Sequence, residues 1–285
     1  MLINSEAAMA TVRSNTKQHE TKSCPRKDGF FDTISPQLVP TSLELVPTED
    51  GSLTIRGPWG ETYHSVSGAV QESQHVYIGN GLRHYIQKNN EESSISQTIH
   101  ILDVGFGTGL NALLTYRELV SGLFPESTGI FYEAVEKFPL PEKFTEKLLY
   151  ADSEQEMEFF RNIHRGSWGV PFPAAKGFTV LKHAGDLVGY HPLQGIHVVY
   201  FDPFSPAVQP ELWTSEIIAG ITPCLQKNAV LTTYSCRGSF KRVLRGTGFL
   251  VERLQGIGKK RHVLRAVYCP HNLLITGATS SSMIE

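Results

Sequence analysis

The chain has 285 residues, 40% of them hydrophobic and 19% charged, with a net charge of −2. That supplies the core of one large α/β domain, alone or with a small N-terminal appendage. No apolar run has the length of a bilayer span, the N-terminus lacks a hydrophobic signal core, and Cys24, Cys224, Cys236 and Cys269 form no CxxC pair. The expectation is a cytoplasmic protein with no membrane partner, whose cysteines are reduced thiols and neither a disulfide frame nor a metal site.

Residues 1–38 are rich in Ser, Thr, Lys and Glu without periodicity and read as a flexible tail, its mix of acids and bases unlike a transit peptide. Residues 39–88 read as a small β appendage. Leu43-Glu44-Leu45-Val46, the turn Glu49-Asp50-Gly51 and Leu53-Thr54-Ile55 predict a β-hairpin. A further extended piece at 61–64 comes next, and then a helix or turn carries Glu72 and Ser73 toward Val76-Tyr77-Ile78. A polar, Ser-rich linker at 89–97 opens the main domain, expected over 89–275, with 276–285 as a C-terminal tail.

Ile99-His100-Ile101-Leu102-Asp103-Val104 predicts a buried strand, and Gly105-Phe106-Gly107-Thr108-Gly109 a tight turn. Helical spacing then begins at Leu110 (Leu113, Leu114, Leu119). Glycine suits a turn whose backbone must touch a ligand. A dinucleotide loop would need its third glycine where Leu110 stands, and no Gly-Lys-Ser/Thr triplet of a P-loop occurs. An acidic residue on the strand followed by G-x-G-x-G is the S-adenosylmethionine pattern; a purely structural turn is the alternative.

Gly129–Val135 is the second strand, ending at Glu136, where an acid can accept bonds from both hydroxyls of a ribose. Residues 139 to about 165 are helical in pattern, and 166–173 break it. Strand 177–181 leads to Gly185-Asp186, a carboxylate open to two readings, acceptor of an adenine amino group or helix N-cap. Ile196–Phe201 is a strand without alternation, hence covered on both faces. It ends in Asp202-Pro203-Phe204-Ser205-Pro206, which puts Asp202 in the same crevice as the glycine loop. A helix at 210–221, a strand at 229–234, a helix at 237–246 and strands at 248–253 and 262–268 complete a doubly wound, mostly parallel sheet with a terminal β-hairpin. Between Arg237 and Arg265 lie nine basic residues against the single acid Glu252, a local balance of +8 that leaves −10 on the remainder. Such a segment reads as a face for a polyanion or as a solvated helix face.

Several of these stretches together resemble one family, the methyltransferase domain of the bacterial tRNA wobble-uridine modification enzyme MnmC. They are Gly105–Asn111, Glu136-Lys137-Phe138-Pro139-Leu140, Gly185-Asp186, Phe201–Pro206 with Pro210–Thr214, Thr233-Tyr234-Ser235, and Gly256–Arg261. Tyr63, Ser65 and Glu72-Ser73 are similar to the family's N-terminal lid, and the resemblance spans roughly residues 45–268. Val208 and His262 depart from the residues common at those positions.

The resemblance implies a class I S-adenosylmethionine-dependent methyltransferase that converts 5-aminomethyl-(2-thio)uridine at the tRNA wobble position into the 5-methylaminomethyl form. Its cofactor-binding residues would be Asp103, Gly105, Phe106, Gly107, Gly109, Asn111, Glu136 and Asp186. Asp202 would be catalytic. Tyr63, Ser65, Glu72, Phe204, Pro206, Lys259, Lys260 and Arg261 would meet the substrate, the anticodon stem-loop of tRNA, with Tyr63 and Phe204 either walling the uracil or packing the core. The length leaves no room for the family's FAD-dependent oxidase domain, so the expectation is a stand-alone form coupled to a separate enzyme that makes the aminomethyl uridine. The alternatives are an aminopropyltransferase like spermidine synthase, which would want an acid-rich pocket, and a non-catalytic scaffold that binds tRNA or protein.

Overall fold

The computed structural model describes residues 42–91, 97–122, 124–125, 127–258 and 261–270, so the expected tails lie outside the described residues. The first elements are the hairpin strands β1 (Glu44–Pro47) and β2 (Leu53–Arg56), antiparallel with Leu45 opposite Ile55. Asp50 ties this hairpin to the helical segment after it. Its carboxylate accepts from Ser52 and Thr48 in the turn, and from the amides of Val70 and Gln71. Burial pushes that carboxyl up, but the bonds prevail and hold it at about 2.

From Ala69 onward the chain is helical, so the expected β character ends with the hairpin and its short extension. Helix α1 (Ala69–Ser73), a π-helical stretch (Gln74–Arg83) and α2 (His84–Glu91) run without a break. Val76, Tyr77, Ile78 and Leu82 are all buried, a clustering that an alternating strand could not produce. Gly81 lets the wide turn sit on the sheet, since a Cβ there would stand 3.0 Å from the Thr232 hydroxyl.

The main sheet holds β3 (Thr98–Val104), β4 (Gly129–Glu136), β5 (Phe172–Ala175), β6 (Phe178–Ala184), β7 (Ile196–Phe201), β8 (Leu225–Thr233), β9 (Phe249–Gln255) and β10 (His262–Tyr268). Its order is β5-β6-β4-β3-β7-β8-β10-β9, and the five strands from β6 to β8 are parallel. This is the doubly wound sheet expected. The terminal hairpin is present as well, with β10 inserted antiparallel between β8 and β9. Helices α3 (Leu110–Val120), α4 (Glu142–Thr145), α5 (Glu154–Arg165), α6 (Ser215–Ile221) and α7 (Gly238–Gly246) connect the strands.

Three local expectations change. The helical pattern at 139–165 is two helices, because the Arg117 guanidinium donates to the Tyr150 carbonyl (2.6 Å) and to Asp152 and Glu156 (2.7 Å each) and so holds the stretch between them. The break at 166–173 leads directly into an unpredicted edge strand, β5, whose Pro173 is tolerated because one side of that strand is unpaired. The helix at 210–221 is a 3₁₀ turn (Pro210–Trp213) followed by α6, with Thr214 as its N-cap.

The end of α5 stores a pH response. Lys182, buried on β6, donates to the carbonyls of Ile163 (2.6 Å) and His164 (3.1 Å), and His164 Nε2 bonds the Thr108 carbonyl at 3.1 Å. Burial, helped by the Lys182 charge, brings the His164 imidazole down to about 4. The unfolded chain takes up this proton near pH 6.5, so stability from a neutral His164 is full above that pH and is lost as pH falls toward 4. The stability difference between wild type and His164→Gln, from urea unfolding, is therefore expected to shrink by about 2–3 kcal/mol between pH 7 and pH 4.5. A pH-independent difference would show that burial does not govern this imidazole.

Candidate active site

Strands β3 and β7 are neighbours, with Val104 opposite Phe201, yet the chain leaves β3 toward β4 on one side and reaches β7 on the other. Ligands of open α/β sheets sit where the order reverses in this way. Gly105 follows β3 with φ +98°, and a Cβ on it would lie 2.6 Å from the Asp202 carbonyl oxygen. Only glycine allows the two loops to meet this closely. Gly107, at φ +50°, lies under the ring of Tyr63, 2.9 Å from where its Cβ would be.

A cavity of about 520 Å³ opens over these loops, a size suited to a nucleoside-sized ligand. Gly105, Phe106, Gly107, Asn111, Glu136 and Asp186 line it together with Tyr63, Ser65, Glu72, Asp202 and Phe204. The Glu136 carboxylate is buried and accepts the amides of Gly107 and Phe138, each at 2.8 Å. Burial raises its pKa against the backbone bonds it accepts. The Lys137 amide bonds it as well, so three amides share a carboxylate that has about four acceptor sites. Asp186 pairs with Lys137 at 2.7 Å and accepts the Val188 amide at 3.0 Å in a turn. No helix starts there, so the N-cap alternative is not realised.

Asp202 is gripped at both oxygens. The Tyr77 hydroxyl donates to Oδ1, and Asn111 Nδ2 donates to Oδ2 at 3.1 Å. Tyr77 is 1% exposed on the π-helical stretch, and burial followed by the Asp202 charge drives its hydroxyl far above the usual tyrosine range, keeping it a donor. Nothing local in the sequence marks this residue, since a tyrosine inside Val-Tyr-Ile reads as core. Tyr77→Phe is expected to lower turnover roughly tenfold, about the worth of a hydrogen bond to a charged group. It should also move the acid limb of the pH–rate profile upward, because the ionised carboxylate loses a donor. An unmoved limb would leave Tyr77 with packing alone.

Tyr63 and Phe204 stand on the cavity wall, with Phe204 edge-on to Trp59 at 4.7 Å and to Tyr63 at 4.9 Å. Ser205 donates its hydroxyl and its amide to Glu61, and the Ser65 amide donates to Glu72 at 3.0 Å. The Tyr63 hydroxyl is buried without a hydrogen-bond partner, a polar atom whose cost a ligand could relieve. Glu61, Lys137 and Tyr234 also line the cavity; Lys137 and Tyr234 stand in motifs quoted for the resemblance, but none of the three was expected as a site residue.

Other expected residues stand elsewhere. Asp103 is fully buried on β3, accepts the Tyr132 hydroxyl at 2.7 Å, and is absent from the cavity wall. Burial raises its carboxyl well above the usual range. Its acidic character serves the strand layer beneath the loop. Gly109 caps α3 at φ +75° against His164, and Pro206 and Arg261 also lie off the wall. Lys259 and Lys260 lie outside the described residues. Among the described residues, no group of His, Cys, Asp and Glu has the arrangement of a metal site.

A family model described as S-adenosyl-L-methionine-dependent methyltransferase matches residues 180–269. The chain is 30% identical over 217 residues to the tRNA 5-methylaminomethyl-2-thiouridine biosynthesis bifunctional protein MnmC of Nitrosospira multiformis, covering 73% of this chain and 34% of that protein. For the protein of the same name from Idiomarina loihiensis the figures are 30% over 245 residues, 81% and 39%. The chain thus spans little more than a third of these relatives. The crystal structure of MnmC2 from Aquifex aeolicus aligns with a TM-score of 0.62 at 26% identity, over 81% of this chain and 72% of that one. A sheet of this order, a glycine turn closed on a carboxylate, and these relatives lead to one assignment: the chain is an S-adenosylmethionine-dependent methyltransferase of class I fold and belongs with the methyltransferase part of the MnmC proteins.

Proposed function

We propose that this methyltransferase acts on the tRNA wobble position and N-methylates 5-aminomethyl-(2-thio)uridine to the 5-methylaminomethyl form. The name of the relatives supports the pathway, and the observation that carries the chemistry is the doubly held Asp202 carboxylate beside the Gly105 turn. Gly105, Gly107 and Glu136 would hold S-adenosylmethionine: the turn has no room for a Cβ, and the buried Glu136 carboxylate lines the cavity beside it. When bound, the cofactor supplies a methyl group on a cationic sulfur.

An alkylammonium has a pKa near ~10 and no lone pair, so the acceptor nitrogen must lose a proton before or as it reacts. Asp202 would accept an N–H of the amine and thereby hold the nitrogen and orient its lone pair. The proton that the amine loses would pass through Asp202 to solvent, and the bound cofactor would supply the methyl group. Tyr77 and Asn111 hold the carboxylate still during this step. Phe204 and Tyr63 supply ring faces for an unstacked uracil.

The test is incubation with labelled S-adenosylmethionine and tRNA from cells lacking the modification, followed by nucleoside identification by mass. Label in 5-methylaminomethyl-(2-thio)uridine is expected; label in any other nucleoside, or none, would refute the reading. A polyamine acceptor is the second reading, favoured by Glu61, Glu72 and Asp202 all lining the cavity. Glu61 is engaged by Ser205 and Glu72 by the Ser65 amide, which argues against an open acidic trap. Transfer to a diamine from the decarboxylated cofactor would decide for it.

A further inference from the structure

The nine basic residues between Arg237 and Arg265 look equivalent in sequence, but among the described residues the fold divides them. We infer that Arg237, Lys241, Arg253 and Arg261 form a cationic wall on one side of the cavity mouth that takes the phosphate backbone of the RNA flanking the inserted nucleotide, while Arg245 and Arg265 take no part. This rests on the reading of the substrate as tRNA.

Topology carries the division. β8 ends at Thr233, and the next residue, Tyr234, lines the cavity. Arg237 follows at the N-cap of α7, so it stands at the carboxyl edge of the sheet, and Lys241 is one turn along. Helix α7 then runs back to deliver the chain to the start of β9, taking Arg245 to the opposite edge. β9 points the same way as β8, because each is antiparallel to β10. Leu264 of β10 faces both Thr233 and Arg253, so Arg253 stands level with the end of β8, two strands across. At about 4.8 Å per strand this is roughly 10 Å from the cavity-lining end.

The turn beyond β9 projects past the same edge. His75 Nε2 bonds the Gln255 carbonyl at 2.8 Å, and a Cβ on Gly258 would touch Ser67 at 3.4 Å, next to the cavity-lining Val66. Arg261 leads from that turn into β10. The charges act locally as well. Burial raises the Cys236 thiol, while Lys241 and Arg253 both work against that rise, and Arg237 opposes the larger burial that raises Tyr234. The three cations therefore converge on the residues that end β8. Arg237, Arg253 and Arg261 are exposed there, whereas Arg265 is spent on Glu252 at 2.6 Å. Inside the mouth the charge reverses, with Glu72 and Asp202 on the wall. A cationic wall beside an anionic interior fits a polyanion that carries one cationic side arm.

The test is the salt dependence of tRNA binding by the full chain, with cofactor affinity measured by calorimetry and methyl transfer measured on the same tRNA. Each lost phosphate contact lowers the slope of log K against log [salt] by about 0.7–0.9. The double variant Arg237→Gln/Arg253→Gln is expected to flatten the slope by about 1.5 and to weaken binding roughly tenfold near 0.15 M salt, with cofactor affinity unchanged. Arg245→Gln should match wild type. An unchanged slope in the double variant, or an equal loss in Arg245→Gln, would overturn the wall even while the wild type still labels the wobble nucleoside. Absence of both salt-dependent binding and labelling would overturn the wall together with the tRNA reading.

Discussion

Replacing Asp202 by alanine is expected to lower turnover at least ~100-fold while cofactor affinity stays within a few-fold, the size of effect that accompanies loss of a positioned proton-accepting group. The reason is geometric. The side chain is held by Tyr77 and Asn111, where we propose that it meets the amine, whereas Gly105, Gly107 and Glu136 are the residues proposed to hold the cofactor. Asp202→Asn separates two components of the loss. An amide still bonds Tyr77 and keeps its shape, but it cannot take a proton, so turnover in that variant should fall nearly as far as in alanine. Calorimetry with S-adenosylmethionine and single-turnover methyl transfer would be run on both. Near-normal turnover in the alanine variant would remove Asp202 from the chemistry.

Gly105→Ala is expected to reduce S-adenosylmethionine affinity at least ~100-fold, which corresponds to about 2.7 kcal/mol. Two costs combine there. A residue with a Cβ pays about 1–2 kcal/mol in left-handed backbone, and φ at this glycine is +98°. The new methyl would also stand 2.6 Å from the Asp202 carbonyl oxygen, which is backbone and cannot swing aside. The loop must retreat and the seat for the cofactor opens. Gly51→Ala provides the control, with φ +83° and nothing within 4 Å of its Cβ, so it carries the backbone cost alone. Should both variants bind the cofactor equally well, the close approach would have no bearing on the ligand.

Much of this molecule can be read in the order of its residues. Runs rich in apolar residues and without alternation, such as Ile99–Val104 and Ile196–Phe201, fit a sheet covered on both faces, and those strands stand where the pattern puts them. The alternate glycines between a strand and a helix, the acid ending the second strand and the Asp-Pro-Phe-Ser-Pro run are local signals, because each answers a constraint acting within a few residues. They suffice for a nucleoside-binding doubly wound fold and for the carboxylates at its carboxyl edge.

Contacts between residues distant along the chain were beyond that reading. Tyr77 meets Asp202 across 125 positions and Glu61 meets Ser205 across 144, contacts that exist only once the π-helical stretch and the hairpin extension fold over the sheet. Asp103 carried the right residue type at a plausible position, yet its side chain points into the layer below the loop, where Tyr132 and burial claim it. The basic segment is a single run in one dimension; a helix that turns back and a strand inserted between two others send its charges to opposite edges. Periodicity reports which face a residue presents, and composition reports what a segment can bury. Partners across the sheet, and the edge at which a charge arrives, depend on strand order and register, which the packing of the whole chain decides.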